Sequence, residues 1–71
     1  MASGDLLAAE LRAQRRRIFL TQRQLGEMLG RRLNTISQWE RGVRSPSLGS
    51  MARLASIFPV EAMDKLLDAT R

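Results

Sequence analysis

Two short helical patterns meet at a glycine in the middle of this chain. Leu25 and Leu29 form an apolar i, i+4 pair before Gly30, and Ile36 and Trp39 form an i, i+3 pair after it. Glycine adopts the left-handed conformation that ends a helix at little cost. The pattern therefore predicts two helices joined by a tight turn, with the four apolar side chains on their inner faces.

Three further helices are predicted around this pair, and no segment reads convincingly as a strand. Thr21 and Ser47 suit N-cap positions, and Pro59 marks a break. Gly26 lies inside a predicted helix, which suggests that another helix crosses it closely. We expect an all-α, five-helix domain spanning residues 1–71. The predicted helices cover residues 5–17, 21–29, 32–40, 48–57 and 60–69.

Composition excludes several classes of function. The chain has 71 residues and contains neither cysteine nor histidine, so the commonest metal ligands and the usual general base are missing. With no clustered carboxylates either, we expect no enzyme activity, no metal, no cofactor and no small-molecule ligand. No apolar run is long enough to span a bilayer, and the N-terminus lacks the pattern of a secretory signal. We therefore expect a cytoplasmic protein with no membrane partner.

The positive charge is placed unevenly. The net charge is +5, but residues 1–44 carry all of this excess and residues 45–71 carry none. A polyanion such as nucleic acid is the partner that this balance favours. A merely solvated basic surface is the alternative that charge alone leaves open.

The third predicted helix has an unusual outer face. Asn34, Ser37, Gln38 and Arg41 recur at i, i+3, i+4 and i+7. A solvated face normally carries pairs of Lys and Glu, whereas this face is mostly uncharged and offers hydrogen-bond donors and acceptors. Such groups suit the edges of base pairs in the major groove.

The stretch from residue 21 to residue 40 resembles the helix-turn-helix unit of the Cro/CI, or XRE-type, family of phage repressors. The resemblance covers roughly residues 6 to 67. The most specific matching segments are Leu20-Thr21-Gln22, Leu29-Gly30, Thr35-Ile36-Ser37-Gln38-Trp39-Glu40 and Gly42-Val43-Arg44-Ser45-Pro46-Ser47. The resemblance implies a five-helix, lambda-repressor-like domain that binds double-stranded DNA.

The resemblance also implies roles for individual residues. The expected base-reading residues are Leu33, Asn34, Ser37 and Gln38. The expected contacts to the DNA backbone come from Thr21, Gln22, Arg23, Arg31, Arg32, Thr35, Arg41 and Arg44. Arg15 and Glu40 match a buried ion pair. Two departures from the family pattern are Arg32, where a capping side chain is usual, and Phe19, where glycine is frequent.

The function expected from this resemblance is that of a sequence-specific transcriptional repressor that covers promoter DNA. It would bind a pseudo-palindromic operator as a homodimer in the bacterial or phage-infected cell, close to the nucleoid. Met63, Leu66 and Leu67 are candidates for the dimer contact, or else they close the core of the chain itself. An antitoxin or another protein-interaction module that keeps the fold is the alternative function.

Overall fold

Five α-helices follow one another in the computed structural model, which describes residues 3–70 and the side chains of residues 6–70. In chain order they are α1 Ser3–Arg17, α2 Gln22–Leu29, α3 Leu33–Glu40, α4 Leu48–Ala55 and α5 Val60–Asp68. No strand occurs among residues 3–70, and the prediction of a five-helix, all-α fold is confirmed. Residues 1, 2 and 71 of the predicted domain lie outside the described residues.

The residues just before the helices determine where they start. Thr21 Oγ1 accepts a hydrogen bond from Gln24 N at 3.0 Å, and Ser47 Oγ accepts one from Ser50 N at 3.1 Å. Both are therefore N-caps, as predicted, and they lie outside α2 and α4. Arg32 occupies the same position before α3, but its side chain forms no capping hydrogen bond. As a result, α2 and α3 each begin one residue later than predicted.

The end of α4 was predicted two residues too late. The N–H groups of Ile57 and Phe58 both bond to the carbonyl oxygen of Leu54, at 3.0 and 2.9 Å. The chain thus tightens into a turn before Pro59, because the residue before a proline is disfavoured in the α conformation. The helix α5 ends at Asp68, one residue before its predicted end, and α1 begins at Ser3, two residues before its predicted start.

Three helices are followed, within two residues, by a residue in the left-handed conformation. These residues are Phe19 (φ 60°), Gly30 (φ 68°) and Gly42 (φ 75°). After each, the next N–H bonds to the carbonyl five positions earlier, at 3.2, 2.8 and 2.9 Å respectively. This pattern satisfies carbonyls that the helix leaves without partners. Phe19 has a Cβ, so the conformation costs it about 1–2 kcal/mol. This cost explains why glycine is frequent at this position in the family that the sequence resembles.

One apolar core joins all five helices. Ile36 and Trp39 point inward from α3, as predicted, and contribute to this core. The buried core residues are Leu7, Leu11, Leu25, Leu29, Ile36, Trp39, Leu54, Phe58, Ala62 and Leu66.

The predicted dimer contact of Met63, Leu66 and Leu67 needs correction. Leu66 is fully buried within the chain's own core, and Met63 packs half-buried against that core. The prediction that Leu66 faces a partner is therefore wrong. Of the three residues, Leu67 is the exposed one.

Gly26 is required by close packing at the turn between α2 and α3. A Cβ placed on Gly26 would lie 2.7 Å from the backbone oxygen of Arg31 and 3.5 Å from Ile36 Cγ1. The close approach predicted from the sequence therefore exists, but its nearest atom belongs to the turn rather than to another helix. A backbone oxygen cannot rotate away as a flexible side chain can.

Gly26→Ala should lower the free energy of unfolding by about 1–3 kcal/mol, because the added methyl group overpacks the turn. Gly49→Ala is the matched control within α4, where the nearest atom to the added Cβ is Ser47 Oγ at 3.8 Å. There the better helix propensity of alanine should raise stability by up to about 1 kcal/mol. Equilibrium urea unfolding measures both changes. A Gly26→Ala protein as stable as the parent would contradict the packing argument.

Candidate nucleic-acid interface

The outer face of α3 carries the predicted base-reading residues together. Asn34 is exposed, Leu33 is 39% exposed, and Ser37 and Gln38 are half-buried. Residues three and four positions apart are neighbours on a helix surface, so these four side chains form one continuous strip. Trp39, the only indole of the chain, is 5% exposed and is therefore a core residue rather than a stacking platform.

The N-terminus of α2 is fixed by a reciprocal pair of hydrogen bonds. Thr21 Oγ1 accepts from Gln24 N, while Gln24 Oε1 accepts from Thr21 N at 2.8 Å. This capping box satisfies two backbone donors at the start of the helix. The Thr-x-x-Gln spacing is its sequence signal, and it was missed when only Thr21 was considered. Arg23, the third predicted backbone contact of this segment, is exposed.

A buried ion pair connects α1 with the end of α3. Arg15 Nε donates to Glu40 Oε2 at 2.7 Å, and Arg15 Nη2 donates to Glu40 Oε1 at 3.0 Å. The guanidinium thus grips both carboxylate oxygens, which is the strong bidentate arrangement. Arg15 Nη1 also donates to the carbonyl oxygen of Leu20 at 2.7 Å. One side chain therefore holds α1, the turn that follows it and α3.

Two more side chains reach Glu40. Gln22 Nε2, at the start of α2, donates to Glu40 Oε1 at 3.1 Å. Arg12 Nη2 donates to the backbone oxygen of Glu40 at 3.2 Å, and Arg12 Nε lies 3.8 Å from Glu40 Oε1. Arg12 was not among the residues that the sequence analysis singled out. Its position three residues before Arg15 was the available signal, because such neighbours share a helix surface.

The turn between α2 and α3 is supported from α4. Arg53 Nη1 donates to the carbonyl oxygen of Leu29 at 2.9 Å, near the end of α2. Arg31 Nη2 makes a longer contact of 3.5 Å with Ser50 Oγ. Arg53 was not among the predicted site residues, and its contact with this turn connects α4 to the interface. Arg31 and Arg32 are both exposed at the start of α3.

The loop after α3 presents two more predicted backbone contacts. Arg41 and Arg44 are exposed, and the N–H of Arg44 bonds to the carbonyl oxygen of Gln38 at 3.3 Å. The loop is thereby folded back onto the end of α3. Thr35 lies half-buried on α3. Predicted backbone contacts therefore flank α3 at both of its ends.

Positive charge dominates the surface of residues 11–47. Eight arginines are exposed there, and Glu27 is the exposed carboxylate, since Glu40 is buried against Arg15. Residues 48–70 carry two basic and three acidic side chains. The charge asymmetry expected from the sequence thus lies on the half of the fold that contains α2 and α3. A surface of this kind attracts polyanions.

The geometry defines a class of protein: a helix-turn-helix domain in which α2 and α3 form the unit, and α3 presents hydrogen-bonding groups between clusters of arginine. A family model described as helix-turn-helix matches residues 11–64. The chain belongs to the helix-turn-helix family of the Cro/CI, or XRE, type, and is a DNA-binding regulator. Comparisons with curated proteins and with solved structures gave no significant match.

Among residues 3–70, no helix combines the length and the apolar character needed to cross a membrane. No group of three or more potential metal-ligating acidic side chains comes together within the described part of the chain.

Glu40→Gln should lower the free energy of unfolding by about 3–5 kcal/mol, because the buried guanidinium of Arg15 loses its countercharge. Glu27→Gln removes an exposed carboxylate from α2 and should change stability by less than about 0.5 kcal/mol. Equilibrium denaturation of the two variants makes the comparison. Equal effects would show that the buried pair contributes no more than a surface charge.

Proposed function

We propose that this protein is a sequence-specific transcriptional repressor of Cro type, with α3 in the major groove of double-stranded DNA. The observation that carries the proposal is the outward strip of α3, which is rich in amide and hydroxyl groups and lies between exposed arginines. A solvated helix has no need of such a strip, whereas base edges are recognised by these groups. The repressor acts by covering promoter DNA close to the nucleoid and excluding RNA polymerase.

Asn34 and Gln38 are the residues proposed to read bases. Each side-chain amide can form two hydrogen bonds with N6 and N7 of adenine, worth about 1–3 kcal/mol of discrimination. Ser37 lies beside them and is less selective, because a hydroxyl both donates and accepts. Leu33 is proposed to contact the methyl group of a thymine.

The backbone contacts are proposed at both ends of α3, as the positions of the exposed arginines suggest. Phosphate contacts supply affinity and fix the position of the protein, but they carry little sequence information. Gln22 has a special place among them. One N–H of its amide is taken by Glu40, so its second N–H is the donor proposed for a phosphate.

Specific recognition is proposed to require two copies of the chain. A single module of this size buries too little DNA surface for tight specific binding. Two copies related by a twofold axis would occupy half-sites about 34 Å apart on one face of the duplex. The operator would therefore be pseudo-palindromic.

Selection from a random DNA library tests the proposal. A repressor of this type selects one preferred sequence with twofold symmetry. Failure to enrich any sequence, together with loss of all DNA affinity at physiological salt, would refute the proposal and favour the protein-interaction module.

Gln38→Ala should reduce the discrimination between base pairs at one position of the site by about 1–3 kcal/mol, because the amide contact with the base is lost. Gel-shift titrations on the selected site and on random DNA measure this difference. Equal losses of affinity on both DNAs would contradict a base-reading role for Gln38.

Arg44→Ala should weaken binding to all sequences alike and reduce the slope of log K against log salt by about 0.9, the value for one phosphate contact. Lys65→Ala is the matched control, because it removes an exposed cation from α5, away from the arginine-rich half of the fold. The same titrations at several salt concentrations give both slopes. Equal changes in the two slopes would indicate general charge attraction rather than a contact by Arg44.

A further inference from the structure

A surface cavity of about 280 Å³ lies where the start of α1, the start of α4 and the end of α5 meet. Apolar side chains line most of it, together with the hydroxyl groups of two residues. The apolar lining consists of Leu7, Pro46, Leu48, Met51 and Leu67. None of the lining residues carries a charge.

Leu48 makes this cavity unusual. It is the first residue of α4, and its side chain is 90% exposed although it lies at the cavity edge. Leu67, on another wall, is 49% exposed. A protruding leucine beside an apolar cavity is a shape that can complement itself, as a twofold contact between identical surfaces requires.

We propose that a second copy of this chain docks on this face, with Leu48 of each copy filling the cavity of the other. This inference rests on the proposed function, because the paired half-sites are what require two copies. It also replaces the dimer surface expected from the sequence: of that set, Leu67 remains and Leu66 does not.

Charge favours this face for contact between identical copies. Two surfaces rich in arginine would repel one another, and residues 11–47 present eight exposed arginines. The cavity has an uncharged lining, whereas two other cavities include charged groups: Arg17 with Glu61 in one, and Glu10, Lys65 and Asp68 in the other. Contact through the uncharged face leaves the arginines available for DNA.

Distance along the chain also favours this face. Pro46, on the cavity wall, lies six residues after Glu40, the last residue of α3. A twofold axis between half-sites passes about 17 Å from each recognition helix. The described chain measures 30 × 25 × 21 Å, so only one side of each copy can reach this axis. Leu48 begins α4, and Ser50 and Arg53 of the same helix contact the turn before α3, so this side lies beside the helix-turn-helix unit.

A second exposed apolar side chain provides a control. Phe19 is 91% exposed, but it follows the end of α1, whereas the cavity includes Leu7 near its start. Leu7 and Arg17, the last residue of α1, are ten helical steps apart, a distance of about 15 Å. Phe19 therefore lies outside the proposed contact.

Sedimentation of the full chain without DNA tests the surface. Leu48→Gln removes the protruding apolar group at constant charge, and glutamine is a good helix former. It should raise the dissociation constant of the dimer about a hundredfold or more, because a twofold interface loses the buried leucine twice. Phe19→Gln should leave that constant unchanged. Circular dichroism verifies that both variants fold.

Crosslinking gives a second measurement, since the chain contains no cysteine. Chains carrying Leu48→Cys, mixed with chains carrying Leu67→Cys and mildly oxidised, should form a disulfide-linked mixed dimer. Chains carrying Phe19→Cys should form none with the same partner.

The outcomes separate this inference from the proposed function. A dimer weakened by Leu48→Gln that binds no DNA supports the interface and refutes the proposed function. DNA binding by single copies, with no cooperativity between half-sites, overturns the interface and the need for two copies, but leaves base reading by α3 standing. If the free chain sediments as a monomer, cooperativity on DNA with two half-sites is measured instead, and cooperativity that survives Leu48→Gln overturns the inference. Dissociation of the dimer by Phe19→Gln also overturns it.

Discussion

The contact between Arg15 and Glu40 is the interaction on which the arrangement of the first three helices depends. A carboxylate at the C-terminal end of a helix is unfavourable, because the helix dipole is negative there. Glu40 holds that position on α3 and is fully buried as a side chain. The guanidinium of Arg15 offsets both costs, and Gln22 adds a bond from α2. The angle at which α3 leaves the domain is therefore set from α1 and α2 together.

This arrangement also shapes the electrostatic surface. The carboxylate of Glu40 lies next to the loop that carries Arg41 and Arg44, where an exposed negative charge would oppose a polyanion. Burial against Arg15 cancels that charge inside the protein. The exposed arginines then act with little opposition, and the uncharged strip of α3 lies between them. The arginine that stabilises the fold is thus distinct from the exposed arginines that attract a polyanion.

Local signals in the sequence were enough for most of the fold. Gly30, Thr21 and Ser47 fixed helix ends through backbone geometry, and the periodic spacing of apolar residues identified the inner face of α3. Contacts by long side chains could not be predicted in this way: Arg12 and Arg53 reach backbone carbonyls 28 and 24 residues away. An apolar stripe likewise cannot reveal whether its partner is the same chain or another, which is why the sequence left Leu66 open between a dimer contact and the core of its own chain.

The shortness of α3 has a consequence for information content. Eight residues of helix extend about 12 Å, which corresponds to three or four base-pair steps along the duplex. A sequence of four base pairs occurs by chance about once in every 256 positions, far too often to identify one site among a million or more competing sites. With its ends fixed by Arg32 and Gly42, this helix cannot lengthen to span more base pairs. For the proposed function, selectivity in a genome must therefore come from combining two or more such short sequences.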